Sequence, residues 1–341
     1  MKSGILSILK YIFFLALGLF LVWWQFDKMT KEQVKQFEIS LSNANYWLLI
    51  PIVIIALLSH ISRALRWKLL IEPMGYKPGT ANTFYSVMSG YLVNTFVPRA
   101  GEILKCTLLS RYEKIPANKL FGTIVAERVF DLFCYFIIII ITIIVQLKFV
   151  GIFVKTKIKQ IADENFALSI WFKLLLLIIT LLITILFFKW LFKRFAQHKY
   201  ITGFKNFYSG LKEGFITIVK LKNRGWFIIH SIFIWLMYLL QIYIGFFALN
   251  STSHLGLVEA SSVLSLSTLA MIVSPGGIGA FPLAVQEVLL IYNVDNVSFG
   301  WLLWGISTAI IIIVGLISLG LLMYKTKQLD EAKQNNSTKN I

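Results

Sequence analysis

Two stretches decide how this chain is read: Asn94-Thr-Phe-Val-Pro-Arg-Ala-Gly-Glu102 and Ser274-Pro-Gly-Gly-Ile-Gly-Ala-Phe-Pro282. Each interrupts an apolar run near its middle with proline and glycine. In hydrocarbon, a broken helix strands backbone N–H and C=O groups. That is costly unless protein or water pairs them. Such breaks are tolerated where they line a cavity, and a pair in corresponding halves of a membrane protein points to a transport site.

The surrounding composition fits. The chain is 57% hydrophobic and only 14% charged, with a mean hydropathy of +0.75. Several apolar runs reach the roughly 20 residues needed to cross a hydrocarbon core. The expected class is therefore an all-α polytopic membrane protein. The formal net charge of +17 is spread through the loops between apolar runs. It reads as positive-inside bias and attraction to anionic headgroups, not as a nucleic-acid footprint. Cys106 and Cys134 form no CxxC pair, so neither a metal site nor a disulfide framework is implied.

Six full spans are expected, at about 4–25, 46–67, 121–147, 168–191, 226–249 and 299–323. The first follows Lys2 like a signal sequence, but Phe20-Leu-Val-Trp-Trp24 replaces a small-residue cleavage site, so it stays uncleaved. The broken stretches occupy about 81–115 and 257–293. With the N-terminus cytoplasmic, Arg63, Arg66, Lys68 and Lys77 fall inside, and so does the strongly basic loop 189–224. Parity then makes 81–115 enter and leave on the cytoplasmic side and 257–293 on the outer side. The two become opposed re-entrant hairpins, with both termini cytoplasmic. One feature runs against the rule: the outer loop 148–167 carries Lys148, Lys155, Lys157 and Lys159. In 189–224, Phe204, Phe207, Leu211, Phe215 and Ile218 recur at helical spacing, as in an amphipathic helix on the inner leaflet or one packed on neighbouring loops. One integral domain covers 1–325, and the polar residues 326–341 are expected to form a disordered tail.

Charges inside apolar segments are rare, usually paired and functional by default. Arg99 and Glu102 sit at the first break, and Glu127, Arg128 and Asp131 open the third span. Glu127 and Asp131 share a helix face, and Arg128, three before Asp131, can pair with it. In one reading Arg99 or Arg128 holds a lipid phosphate, for which a planar guanidinium fork is suited. In the other, these groups form a structural ion network pinning the hairpin to the third span.

At the second break, Gly276, Gly277 and Gly279 free the backbone to turn toward a cavity, and N–H groups opening the return limb offer an anion seat. Pro282 falls in the first turn of that limb, where its missing N–H costs little. Glu287 is expected to be buried with a polar partner. The hydroxyls of Ser261, Ser262, Ser265, Ser267, Thr268 and Ser274 read as helix-packing contacts. His60, beside Arg63, reads as a packing residue or a proton-relay element. No HExxH, Walker, GxSxG or EF-hand pattern occurs.

Arg63-Ala-Leu-Arg-Trp-Lys68, Asn94 to Glu102, Glu127-Arg-Val-Phe-Asp131 and Pro275-Gly-Gly-Ile-Gly279 stand in this order. Over roughly 1–325 the chain thereby resembles the flippase-like transmembrane region of lysylphosphatidylglycerol synthases and its stand-alone relatives. The resemblance implies opposed re-entrant helices and movement of aminoacylated or other polar-headed lipids across the bilayer. Carried over by position, it marks Arg63, Arg66, Pro98, Arg99, Gly101, Glu102, Glu127, Arg128, Asp131, Pro275, Gly276, Gly277 and Gly279. Two departures stand out. The full synthases append a soluble aminoacyl-transferase domain, which these residues do not contain. The family also often places a glutamate shortly after the Pro-Gly-Gly-x-Gly turn, where this chain has Pro282 and only Glu287 beyond it.

The expected function is translocation of a polar-headed phospholipid or lipid-linked intermediate through a midplane cavity in the cytoplasmic membrane. No catalytic residue, metal or cofactor is assigned. The expected partners are anionic or aminoacylated phospholipid or lipid-linked glycan, with homo-oligomerisation and a separate lipid-modifying enzyme left open. The alternative is a membrane enzyme or accessory subunit acting on a lipid-linked sugar or aminoacyl lipid, with Glu102 or Asp131 as the acid–base group.

Overall fold

The computed structural model describes residues 16, 18–97, 99–146, 218 and 220–339, with side chains to 325, and among them the regular structure is entirely helical. Ten helices follow in order. They are α1 (18–28), α2 (Lys31–Ser42), α3 (Leu49–Ile71), α4 (Thr80–Phe96), α5 (Ala100–Glu113) and α6 (Ala117–Val145), then α7 (Arg224–Phe246), α8 (Leu257–Val273), α9 (Ala280–Ile291) and α10 (Ser298–Lys339). Four helical segments are long and apolar enough to cross a membrane: Tyr46–Met74, Ala117–Val145, Arg224–Phe246 and Ser298–Lys325. They coincide with four of the six expected spans. Residues 18–25 of the first expected span lie on α1. The span 168–191, the loop 148–167 and the amphipathic pattern from Phe204 to Phe215 lie outside the described residues.

Local sequence explains where the helices start and stop. Thr30 opens α2 with a capping box: its hydroxyl accepts from Gln33 N–H and the Gln33 side chain accepts from Thr30 N–H. The residue before a proline is pushed out of the helical region, and Val97 accordingly ends α4 in an extended conformation (φ −128°, ψ 102°). Arg99 then takes a left-handed φ of +66°, unusual for a side-chain-bearing residue, and α5 begins at Ala100. Pro98 itself lies outside the described residues.

The chain thus doubles back. Asn82 reaches Glu113, and Gly101 N–H donates to Asn94 Oδ1 at 2.8 Å, so α4 and α5 run antiparallel. Gly90 and Gly101 let the two backbones touch. A Cβ on Gly90 would meet Gly101 O at 2.7 Å, and one on Gly101 would overlap Gly90 O.

The second break is built the same way. Ser262 on α8 bonds Tyr292 just beyond α9, and the turn between them carries positive φ at Gly276, Gly277 and Gly279. These glycines are packed against protein. A Cβ on Gly276 would stand 2.9 Å from Thr95 O on α4, and one on Gly279 2.6 Å from Gly18 O on α1. Trp304 Nε1 on α10 donates to Gly276 O at 2.8 Å. The expectation that this turn faces an open cavity is therefore corrected: the absent side chains make room for α1 and for the tip of the first hairpin.

Each hairpin has its own apolar core. One is formed by Trp67, Ile71, Val87, Cys106, Leu109, Leu120, Ile124 and Phe227, the other by Phe246, Val263, Val285, Leu289, Phe299 and Leu303. Helix α7 contributes to both. Residues 326–339, expected as a polar tail, continue α10 as helix to Lys339. No glycine or proline follows Gly320.

Gly101→Ala should lower the thermal unfolding midpoint, at a cost of about 1–3 kcal/mol for overpacking. Gly122, which has open space around it, is the control: Gly122→Ala should leave the midpoint unchanged or raise it. Unfolding of the detergent-purified protein followed by tryptophan fluorescence reads both.

Candidate functional site

Beside the first break lies a cluster of buried charges. Residues three or four apart share a helix face, so α3 presents Arg63 and Arg66 together and α6 presents Glu127 and Asp131 together. Helix α5 adds Lys105. Arg66 lies at the centre, fully buried, with Nη2 at 3.1 Å from Glu127 Oε1 and Nη1 at 2.7 Å from Asp131 Oδ1. Lys105 Nζ donates to the other Glu127 oxygen at 3.0 Å. Arg63 Nη1 stands 3.6 Å from Asp131 Oδ2. Three helices, one from each side of the cluster, are thereby tied together by ionic contacts.

The surroundings are chosen for cations. The Trp67 ring lies 4.5 Å from Lys105 Nζ, and the Phe227 ring 5.5 Å from the Arg66 guanidinium carbon. The rings of Tyr91 and Tyr238 each lie 5.8 Å from that of Arg63. Such faces attract cations electrostatically while excluding water. Arg66 Nη1 also donates to Ser231 Oγ at 3.1 Å, and Trp67 Nε1 to Thr123 Oγ1 at 2.8 Å. Among the described residues the cluster holds three cations and two carboxylates.

The exposed edge of the first hairpin carries a second, separate pair. Arg128 Nε donates to Glu102 Oε1 at 2.9 Å, with the side chains 43% and 27% exposed. The expected pairing of Arg128 with Asp131 is thus corrected. Asp131 faces the two arginines of α3, and Arg128, about 100° around the helix from Glu127, faces α5. Arg99 is exposed at the turn and does not join the cluster. Gly101 acts by close backbone approach.

The second break contributes no charge. Pro275, Gly276, Gly277 and Gly279 form the packed turn described above, and α1 covers the start of α9 where an anion seat was expected. Glu287 is exposed, not buried, and its neighbour Gln286 finds the polar partner, accepting from Gln25 Nε2 at 2.8 Å. The register of α9 explains this: Val285, Val288 and Leu289 take the buried face. His60 is buried with its ring 5.5 Å from that of Tyr91. Ser262 and Ser265 of α8 do tie helices together, whereas the Ser261 and Ser267 hydroxyls turn back to carbonyls of α8 itself. Thr142 bonds Ser265 at 3.0 Å, and Tyr135 OH donates to Ser265 O at 2.7 Å.

Sequence reasoning missed Lys105, Tyr91 and Tyr238. A signal for Lys105 existed: it lies four residues after Gly101, hence on the face of α5 that approaches α4 most closely. The tyrosines carried none, because their role depends on α4 and α7 meeting at Arg63.

Removing one partner of a buried ion pair leaves an uncompensated charge, whereas exposed pairs contribute little. Arg66→Gln should therefore cost about 3–5 kcal/mol of stability, and Arg128→Ala under about 1 kcal/mol. Thermal unfolding of the two variants in detergent, side by side with the parent, checks the contrast.

The comparisons with known proteins agree with this architecture. Residues 11–323 match the family model described as the lysylphosphatidylglycerol synthase TM region. The chain is 26% identical over 318 residues to UPF0104 membrane protein MJ1595 of Methanocaldococcus jannaschii, covering 87% of this chain and 86% of that protein. It is 25% identical over 283 residues to a UPF0104 membrane protein of Methanothermobacter thermautotrophicus, covering 74% of this chain and 76% of the relative. No solved structure matches significantly. With nearly its whole length matched, the chain belongs to the family of the lysylphosphatidylglycerol synthase TM region.

Proposed function

We propose that this protein is a lipid translocase of the cytoplasmic membrane, moving a polar-headed phospholipid or lipid-linked intermediate between leaflets. Residues 1–325 form its single integral unit, with six spans, two opposed re-entrant hairpins and both termini cytoplasmic. The observation that carries the reading is the buried charge cluster of Arg63, Arg66, Lys105, Glu127 and Asp131, seated where the first hairpin meets α3 and α6. Ionisable groups among apolar helices are expensive, and they mark polar pathways.

The hairpin limbs support it. Helices α4, α5, α8 and α9 have 17, 14, 17 and 12 residues. At 1.5 Å per residue they extend about 26, 21, 26 and 18 Å, short of a hydrocarbon core about 30 Å thick. Their turns meet at Thr95 and Gly276, as expected of hairpins entering from opposite faces. The physical task is to carry a phosphate past hydrocarbon while its acyl chains stay in lipid. Arg99 and the Glu102–Arg128 pair, exposed at the first turn, receive the headgroup. Swapping the Glu102–Arg128 contact for a phosphate–Arg128 contact costs little, because the pair is already half in solvent. The packed second turn holds the barrier closed until the hairpin tips separate.

In proteoliposomes with fluorescent lipids of several headgroups, the parent protein should give headgroup-selective flux. Arg99→Ala and Arg128→Ala should each lower it about tenfold or more, the worth of one charge-assisted hydrogen bond to the phosphate, with unfolding midpoints little changed. Flux that is indifferent to both substitutions would overturn the assignment of the site. Chemical conversion of the lipid by purified protein would favour an enzyme instead.

A further inference from the structure

The contacts within the buried cluster divide its charges unequally. Arg66 and Lys105 occupy the two carboxylates directly, at 2.7 to 3.1 Å. Arg63 approaches only Asp131, and only to 3.6 Å. Its one hydrogen bond is Nη2 donating to Tyr238 OH at 2.9 Å. Its Nε, like that of Arg66, has no hydrogen-bond partner among the described residues, so the distances to the carboxylates are what set the two arginines apart. The surplus positive charge of the cluster therefore resides on Arg63. This is also its open edge: the Arg63 and Asp131 side chains are 11% and 14% exposed, against 0% for Arg66 and 2% for Glu127.

We infer that Arg63 is the docking point for one phosphodiester, so that the site takes lipids whose headgroup carries a single net negative charge in preference to zwitterionic ones. The inference rests on the lipid-translocation reading above and names its substrate class. One negative charge brings the cluster of three cations and two carboxylates to neutrality, which matters in a medium where an unpaired charge is costly. A zwitterionic headgroup brings a cation of its own, and both carboxylates are already engaged by Arg66 and Lys105. A phosphomonoester dianion overshoots to a net negative cluster. The guanidinium fork suits two phosphate oxygens. Tyr238 accepts from Arg63, which leaves its O–H hydrogen to donate to the same phosphate. Tyr91 closes the other side of the cation, with the His60 ring tilted against it at 5.5 Å. Sequence spacing could not single out Arg63 from Arg66; only the unequal distances do.

The competing account makes Arg63 a second, structural partner of Asp131. The two differ in what Arg63→Gln does. Its removal leaves Arg66 and Lys105 facing Glu127 and Asp131, a balanced set, so the variant should unfold close to the parent and well above Arg66→Gln. Purified full-length protein in detergent is titrated with phosphatidylglycerol, phosphatidylcholine or inorganic phosphate, and thermal stabilisation is read. The parent should respond to phosphatidylglycerol at about tenfold lower concentration than to phosphatidylcholine. Arg63→Gln should abolish that difference, and Arg63→Lys should keep part of it.

A parent without preference, or an Arg63→Gln variant that retains it, overturns the inference. Stabilisation by inorganic phosphate equal to that by phosphatidylglycerol assigns the site to a small anion and overturns the lipid half of it. Flux measured on the same proteins separates the two readings. Preference without flux with any lipid leaves Arg63 as an anionic-lipid site and removes the translocase reading, whereas flux without preference removes the docking role alone.

Discussion

The bridge that Arg66 makes between Glu127 and Asp131 governs the arrangement of the first half of the molecule. A guanidinium with no exposure must have its charge met by nearby groups, and α6 is the helix that supplies both carboxylates. That requirement sets the rotation of α3 about its axis and holds α6 in register with it. Lys105 adds α5 to the same constraint through Glu127. The first hairpin is consequently docked by charge at its α5 limb and by apolar packing of Cys106 and Leu109 around it. Buried ion networks are weak sources of net stability, because desolvation offsets attraction. Their stronger effect here is on specificity: a one-residue slip of α3 or α6 would leave two or more charges unmatched.

Backbone proximity is the complementary device. Gly90 and Gly101 bring α4 and α5 together, and Gly276 and Gly279 bring the second turn against Thr95 and Gly18. Side chains at these points would hold the hairpins apart. The contacts are short and made largely of backbone, so they resist compression, yet among the described residues few hydrogen bonds cross between the tips. Trp304 to Gly276 O ties the second turn to α10. The junction of the two turns is thus sterically closed, held by backbone packing more than by hydrogen bonds among the described residues.

The two halves differ in chemistry. The first hairpin is surrounded by charge: Glu102 and Arg128 at its edge, and Arg63, Arg66, Lys105, Glu127 and Asp131 beneath it. The second is held by hydroxyls, with Ser262 and Ser265 meeting Tyr292, Thr142 and Tyr135. Neutral hydroxyl contacts between helices are modest in strength and rearrange without stranding a charge. Among the described residues, ion pairs therefore gather at the first hairpin, and neutral hydroxyl contacts tie the second to its neighbours.

Much of this was legible in the residues themselves. Hydropathy placed four spans that the structure contains, because a segment able to cross hydrocarbon must be apolar along its whole length. Pro98 and the glycines located both breaks, because proline and positive φ act on the chain locally. The charges Glu127 and Asp131 stood out because ionisable groups are conspicuous in an apolar run, whereas Arg63 and Arg66 read as cytoplasmic topology signals and became site candidates only through the family resemblance. Partnership was another matter. That Arg128 pairs with Glu102 while Asp131 pairs with Arg66 and Arg63, that Lys105 completes the cluster, that Glu287 faces outward and that α1 seals the second turn all depend on which helix faces meet. Those choices are made by packing between segments far apart in the chain, where charge balance and close backbone approach decide among pairings that local sequence leaves equally open.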